Sequence, residues 1–217
     1  MAPSVRTDGK EISLYSFSNG YPNTWINTGD QAKDITQIAL TQVGYSETGE
    51  NHTKYNYWYY NNKYTPNPWC AIFVSWCAKQ AGIPTSVIKK NAWVGFPISD
   101  VSSNDFGVPA YSFSSTTAKV GDLAFINNDV DPKFEKIDHV GLIYAVDSNY
   151  IYTVEGNYSN KVSKCKYSAS TGYMVEPKKT SASGGCGDGG TIPISQGTGM
   201  RYYSGVLFGQ TDARRGD

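Results

Sequence analysis

The 217-residue sequence has no excess of charge of either sign, because 19 lysines and arginines balance 19 aspartates and glutamates. This balance gives no electrostatic argument for a nucleic-acid partner, and we expect none. The sequence also lacks any run of about 18 apolar residues, so we predict no membrane span. Residues 1–6 do not continue into the apolar run of a signal peptide.

Histidine and cysteine are also scarce. The chain has two histidines, and His52 lies in a polar run that is typical of a surface loop. The four cysteines include no closely spaced pair, which disfavours a zinc site. The acidic residues of the loop 127–136 do not match the order of an EF-hand. We therefore predict no metal and no cofactor.

Tyrosine, by contrast, is abundant, with 17 residues. Its ring combines an apolar face with a hydroxyl group, which suits the binding of sugars or peptides at a wet surface. Core packing explains part of the count equally well.

The chain is organised around residues 67–84, which predict a helix that begins at Cys70. Pro68 suits a helix start, and Gly82 supplies the stop. Unpaired N–H groups and the helix dipole favour a thiolate at a first-turn cysteine, and the thiolate is the nucleophilic form. The alternative is that Cys70 is a small buried hydrophobic residue. Cys77, two turns further along the helix, is interpreted as core.

A cysteine nucleophile needs a base, and His139 begins a strongly apolar predicted strand over 139–146. A second predicted strand covers 150–157. If the two strands form a hairpin folded near residue 147 or 148, Glu155 to Asn157 lie beside His139. A carboxylate or amide there can hold the second imidazole nitrogen, as the third member of a catalytic triad does. The alternative is an ordinary polar turn.

Four ordered motifs carry a resemblance to a known family: Trp69-Cys70-Ala71, Gly121-Asp122-Leu123, His139-Val140-Gly141 and Glu155-Gly156-Asn157. Together they resemble the CHAP family, the cysteine- and histidine-dependent amidohydrolases and peptidases of bacterial cell walls. The resemblance implies an α+β, papain-like fold with N-terminal helices packed on an antiparallel sheet. It also implies that Cys70 is the nucleophile, His139 the base, Glu155 the residue that orients the base, and Asn157 a supporting polar group.

Further candidate contacts flank the nucleophile. Relatives commonly carry a Thr-Lys-Tyr run like residues 53–55, so Tyr55 is a candidate oxyanion or substrate contact beside the Cys70 N–H, and Lys54 and Trp69 are candidate substrate contacts. The alternative for Tyr55 is that it merely braces the loop. Trp93 lies in an irregular connection that is expected to form one wall of the cleft.

The sequence divides into three predicted parts: an N-terminal arm or linker over 1–29, a CHAP-like catalytic domain over 30–209, and a C-terminal tail over 210–217. Asp30 is a candidate N-cap for a helix over 31–43. An insertion at about 176–202 departs from the family pattern. A disulfide between Cys165 and Cys186 would pin this insertion to the sheet and would indicate an oxidising compartment.

We therefore expect a monomeric peptidoglycan hydrolase that cleaves an amide bond, as an N-acetylmuramoyl-L-alanine amidase or as a peptide endopeptidase. Nothing in the sequence separates these two activities. The alternative function is a catalytically silent wall-binding or adhesion module on the same fold. We expect a bacterial protein that is secreted or associated with the cell wall, or a phage-borne protein that is released by lysis.

Overall fold

The computed structural model describes residues 4–7, 10–14, 24–26, 28–97, 105–107, 110–112, 118–127, 136–168 and 202–205. Side chains are described within 28–96, 105–107, 118–127 and 136–168. The predicted insertion at about 176–202, apart from Tyr202, lies outside these ranges, as does Cys186.

The N-terminal residues form a three-stranded antiparallel sheet of β1 (Ser4–Thr7), β2 (Lys10–Leu14) and β3 (Thr24–Ile26), in that order. Within this sheet Val5 is paired with Ile12, and Ile12 with Ile26. The sequence suggested an arm or linker here because of its Ser, Asn and Gly content. Paired β-branched residues favour strands, and this preference accounts for the difference.

Three helices follow: α1 (Gln31–Thr41), α2 (Lys54–Tyr59) and α3 (Cys70–Gln80). The Asp30 side chain accepts hydrogen bonds from the first-turn N–H groups of α1, as its predicted role as N-cap requires. Thr53 caps α2 in the same way. Among the described residues, no helix is long and apolar enough to cross a membrane.

The remaining strands are β4 (Phe96–Pro97), β5 (Ala110–Ser112), β6 (Leu123–Ile126), β7 (Lys136–Ile137), β8 (His139–Val146), β9 (Tyr150–Tyr158), β10 (Lys161–Ser168) and β11 (Tyr202–Gly205). Six of them form an antiparallel sheet in the order β10-β9-β8-β6-β11-β5, and β4 pairs with β7. Helices packed on an antiparallel sheet confirm the predicted α+β class. The papain-like comparison stays a prediction.

The core lies between α3 and the central strands β8 and β9. Ile72, Phe73 and Trp76 of α3 are at most 1 % exposed, and burial of each such side chain contributes about 1.5–3 kcal/mol. Phe73 lies so close to the backbone of Gly156 that a Cβ there would be 2.4 Å from the Phe73 Cβ. This close contact sets α3 on the part of β9 that also carries the predicted site residues.

Candidate active site

Cys70 is the first residue of α3, and the start of this helix has no capping side chain. Its N-cap residue is Trp69, which makes no side-chain capping hydrogen bond, whereas α1 and α2 are both capped by side chains. The first-turn N–H groups of a helix have no intrahelical acceptor. They are therefore available to stabilise negative charge at the Cys70 thiol or on a group bound beside it.

Trp69, the residue before Cys70, holds the start of α3 in place through the contacts of its side chain. Its indole ring is fully buried, it stacks on Tyr55 with ring centroids 5.4 Å apart, and its Nε1–H donates to Glu47 Oε2 at 2.9 Å. A buried indole needs such a partner for its N–H. The contact joins the position of Cys70 to a loop more than 20 residues earlier in the chain.

His139 begins β8 and is buried beside Cys70. Its Nε2–H donates to Glu155 Oε2 at 3.0 Å, which leaves Nδ1 for the hydrogen bond with the Cys70 side chain. Burial lowers the pKa of His139, but the hydrogen bonds and charges of Cys70 and Glu155 outweigh it and raise that pKa well above its usual value. The imidazole is thus held between a thiol and a carboxylate.

Glu155 is fully buried on β9 and has partners on both oxygens. Oε2 accepts from His139, and Oε1 accepts from the Thr153 hydroxyl and from the Tyr167 hydroxyl, each at 2.5 Å. A buried carboxylate without partners would be costly, and these three donors compensate for its burial. Thr153 and Tyr167 were not foreseen from the sequence.

Gly141 explains how Glu155 reaches the histidine. It lies directly opposite Glu155 in the β8–β9 pairing, and a Cβ at Gly141 would be 2.6 Å from the Glu155 Cγ. The missing side chain lets the glutamate cross β8 diagonally toward His139, which lies two residues along on the same face. The glycine of the His-Val-Gly motif therefore has a direct steric role in the site.

Asn157 lies near the end of β9 and is 6 % exposed. Its backbone has φ of 61°, which asparagine adopts more readily than most residues. Its side-chain Oδ1 makes no hydrogen bond to any described residue. A buried amide oxygen without a protein partner is a hydrogen-bond acceptor that a bound molecule can use.

Cys70, His139 and Asn157 meet at a cleft of about 660 Å³. The cleft is also lined by residues of the loop 47–51, by Asn160, and by residues 92–95 and 136–138. The two catalytic candidates and Asn157 therefore line one cleft. Clefts of this size accommodate a substrate segment rather than a whole polymer.

The structure separates the four predicted substrate contacts. Trp93 lines the cleft and is 60 % exposed. Tyr55, Trp69 and Lys54 are not among the residues that line it. Trp69 contributes through its buried position under the start of α3, and only Trp93 offers an exposed surface.

Tyr55 lies in an aromatic cluster, which is a correction to its predicted oxyanion contact. Its ring is fully buried against Trp69, Phe73 and Trp76, and its hydroxyl donates to Gln42 Oε1 at 3.1 Å. Burial of the large apolar ring is favourable in free energy, and the hydroxyl finds its hydrogen-bond partner inside the protein rather than at the cleft. This is the bracing role that the sequence left open.

Lys54 lies at the edge of the same aromatic cluster. Its Nζ donates to Gln42 Oε1 at 2.5 Å and lies 5.0 Å from the centroid of the Tyr45 ring. Burial lowers the pKa of Lys54 to about 8, although the neighbouring Cys77 opposes the shift. Lys54 therefore supports the packing behind α3.

The other cysteines differ from Cys70. Cys77 is fully buried in the core, as predicted, and its burial raises the pKa of its thiol well above the usual value, despite the nearby Lys54. Cys165 lies on β10, whereas Cys186 lies outside the described residues, so the expected disulfide stays a prediction. Most of the acidic loop 127–136 also lies outside them. Within the described residues, no three His, Cys, Asp or Glu side chains form a potential metal site.

Residues 58–157 match the family model of the CHAP domain, which confirms the resemblance read from the sequence. The matched segment contains Cys70, His139, Glu155 and Asn157, and it begins after Tyr55 and ends before Tyr167. CHAP domains are generally hydrolytic cell-wall enzymes, with peptidoglycan-related amidase or peptidase activity. No curated protein and no solved structure gives a significant match to the chain.

Proposed function

We propose that this CHAP domain is a peptidoglycan hydrolase that cleaves an amide bond, with Cys70 as nucleophile and His139 as general acid and base. The observation that carries the proposal is the continuous chain of contacts from Cys70 through His139 to the buried carboxylate of Glu155. A thiol, an imidazole and an orienting carboxylate in this order are the parts that acyl transfer requires.

In the first half of the reaction, the Cys70 thiolate attacks the carbonyl carbon of the scissile amide and forms a C–S bond. The oxygen of the resulting tetrahedral species gains negative charge, which the Cys70 backbone N–H at the start of α3 can stabilise. The C–N bond then breaks as the His139 imidazolium gives its Nδ1 proton to the leaving nitrogen. The products of this half are a free amine and a thioester on Cys70.

In the second half, a water molecule attacks the thioester carbonyl while neutral His139 takes one of its protons. The C–S bond breaks and releases the carboxylic acid product. Cys70 is again a thiolate and His139 is again an imidazolium. Glu155 holds the ring orientation through Nε2 in both halves of the reaction.

The buried position of Glu155 supports this role over a purely structural one. Its two oxygens accept from three donors that lie on β8, β9 and β10. Such a carboxylate cannot move far without breaking a charged hydrogen bond, so the imidazole that it holds is fixed as well. A fixed imidazole reaches both the sulfur and the leaving nitrogen without reorganisation.

Two bonds in peptidoglycan are compatible with this chemistry, the amide between muramic acid and L-alanine and a peptide bond within the stem or cross-bridge. Both present a carbonyl to the thiolate and an amine to the imidazolium. The new chain ends distinguish them, because only the first cleavage separates a complete peptide from the sugar. For its substrate to be reached, the protein must be secreted, wall-associated or released by lysis, and we propose that it acts as a monomer.

The test is the loss of turbidity of purified cell walls, followed by mass spectrometry of the released fragments. Wild type and Cys77→Ala should both clear the walls, because Cys77 belongs to the buried core of the same helix. Cys70→Ala should not clear them, because it lacks the proposed nucleophile. Clearing by Cys70→Ala would overturn the proposed mechanism. Binding of walls by the wild type without release of any fragment would instead favour the silent binding module.

A further inference from the structure

We propose that the cleft wall made by Glu47 and Glu50 is a subsite for a primary ammonium group of the substrate peptide. We call this surface the acidic wall. The inference rests on the proposed function and adds the substrate class: a peptide that carries a free amino group close to the scissile amide.

Glu47 is held in place by hydrogen bonds at its backbone and its side chain. Its backbone N–H donates to Asn160 O at 3.0 Å, and its Oε2 accepts from the buried Trp69 indole at 2.9 Å. Trp69 is also the residue before Cys70. The Glu47 carboxylate is therefore positioned relative to the nucleophile by one side-chain hydrogen bond.

The loop that carries Glu50 is tied down as well. The Glu50 backbone carbonyl accepts from the Tyr64 hydroxyl at 2.5 Å, and the loop pairs with β10 through a bridge between Ser46 and Lys161. The carboxylate of Glu50 itself is exposed. The backbone of the acidic wall is thus fixed while its charged groups face the cleft.

The charge of the acidic wall is not neutralised by a neighbouring side chain. The ion pairs among the described residues are Lys33 with Asp30 and His139 with Glu155, so neither Glu47 nor Glu50 takes part in one. The cleft lining also includes Lys136 and Asp138, whose opposite charges cancel. The net charge that a ligand meets in the cleft is consequently negative.

Two neutral features of the cleft also suit an ammonium group. Asn157 lines the cleft, and its buried Oδ1 is an acceptor without a partner among the described residues. Trp93 contributes an exposed indole to the cleft lining, and it lies so close to Gly95 that a Cβ there would be 2.5 Å from its Nε1. Aromatic faces attract cations, and an ammonium group has three N–H donors for carboxylate and amide oxygens.

Glu47 and Glu50 lie outside the segment that matches the CHAP model, which begins at residue 58. The catalytic candidates lie inside it. The acidic wall is therefore a feature of this chain that the family match does not supply, and it belongs to specificity rather than to the shared chemistry.

The experiment compares soluble peptidoglycan fragments in three forms: with free amines, with N-acetylated amines, and with N,N-dimethylated amines. Acetylation removes the positive charge, whereas dimethylation keeps it. We expect kcat/KM for free amines to exceed that for acetylated amines by roughly tenfold to hundredfold, the range for a hydrogen bond to a charged group. The kcat/KM for the dimethylated form should lie closer to that for the free form than to that for the acetylated form. The ratio of kcat/KM for free and acetylated amines should fall as added salt screens the charges.

Glu47→Gln and Glu50→Gln test the assignment, because each keeps the shape of the side chain and removes the charge. Each should reduce the preference for free amines, whereas Asp105→Asn, an exposed carboxylate away from the cleft, should leave it unchanged. Equal turnover of free and acetylated fragments by the wild type would overturn the inference and leave the proposed function intact. A preference that survives both glutamine variants would overturn the assignment to the acidic wall.

Binding to Cys70→Ala, measured by titration calorimetry with the same three fragments, tests the inference without turnover. Tighter binding of free than of acetylated fragments supports it even if the wild type hydrolyses none of them, which would refute the proposed function alone. Equal binding of all three refutes the acidic wall.

Discussion

Tyr167→Phe removes one hydroxyl from the buried network around Glu155 and keeps the ring. The wild-type carboxylate has two donors on Oε1, the Tyr167 and Thr153 hydroxyls at 2.5 Å each, and the variant keeps only Thr153. A hydrogen bond to a charged group contributes about 1.5–3 kcal/mol. We therefore expect the free energy of unfolding to fall by about that amount, which is a large share of a typical total of about 5–15 kcal/mol.

The catalytic effect of the same substitution should be smaller than that of Glu155→Gln. The variant keeps the carboxylate and its hydrogen bond from His139, so the imidazole retains its charged partner. A lower kcat with an unchanged KM would place the loss in the chemical step rather than in substrate binding.

Urea denaturation followed by tryptophan fluorescence measures the stability change. The matched control is Tyr150→Phe on β9, since the Tyr150 hydroxyl makes no hydrogen bond to any described residue and its ring is only half-buried. We expect this control to lie within about 0.5 kcal/mol of the wild type. If Tyr167→Phe is as stable as Tyr150→Phe, the network around Glu155 does not contribute what its geometry implies.

Three further predictions concern the relay, the packing behind α3 and the contact of α3 with the sheet. Glu155→Gln should move the alkaline limb of the pH–activity profile to lower pH, because the buried imidazolium loses the carboxylate that raises its pKa; an unmoved limb would contradict this. Burial penalises the charged form of Lys54 and lowers its pKa to about 8 from 10.5. In urea denaturation the wild type should therefore gain stability relative to Lys54→Met as the pH rises from about 8 to 10.5. A stability difference between the two proteins that does not change with pH would contradict this. Gly156→Ala should cost about 1–3 kcal/mol in free energy of unfolding, since its Cβ would lie 2.4 Å from that of Phe73, whereas Gly49→Ala, with its nearest atom at 3.9 Å, should be tolerated in the same denaturation assay.

The parts of the site that depend on local patterns could be predicted from the sequence. The helix at Cys70 follows from its flanking residues, and α3 begins at the predicted residue. Counting outward from a turn near residue 147 or 148 placed Glu155 to Asn157 in the neighbourhood of His139. In the structure Glu155 lies opposite Gly141, and its side chain contacts His139 diagonally. Hairpin geometry is short-range, so a turn position and a strand length were sufficient.

The parts that depend on contacts between distant segments could not be predicted. Tyr167 reaches Glu155 from β10, and a one-residue change of register would turn its side chain to the other face of the sheet. Tyr55 was expected at the cleft, yet burial against Trp69 and Phe73 places it behind α3. The packing of large aromatic rings is decided by the whole core, which no local pattern specifies.

Glu155 behind the cleft and Glu47 and Glu50 in its lining differ in the source of their hydrogen-bond donors. Glu155 is fully buried, receives its donors from the protein and does not line the cleft, so in the proposed mechanism it acts through His139. Glu47 receives one donor, from Trp69, and Glu50 is exposed, so both can exchange water for a ligand at little cost in desolvation. We therefore propose a positioning role for Glu155 and a recognition role for Glu47 and Glu50. Glu155→Gln should reduce turnover of every substrate, whereas Glu47→Gln and Glu50→Gln should reduce turnover of cationic substrates alone.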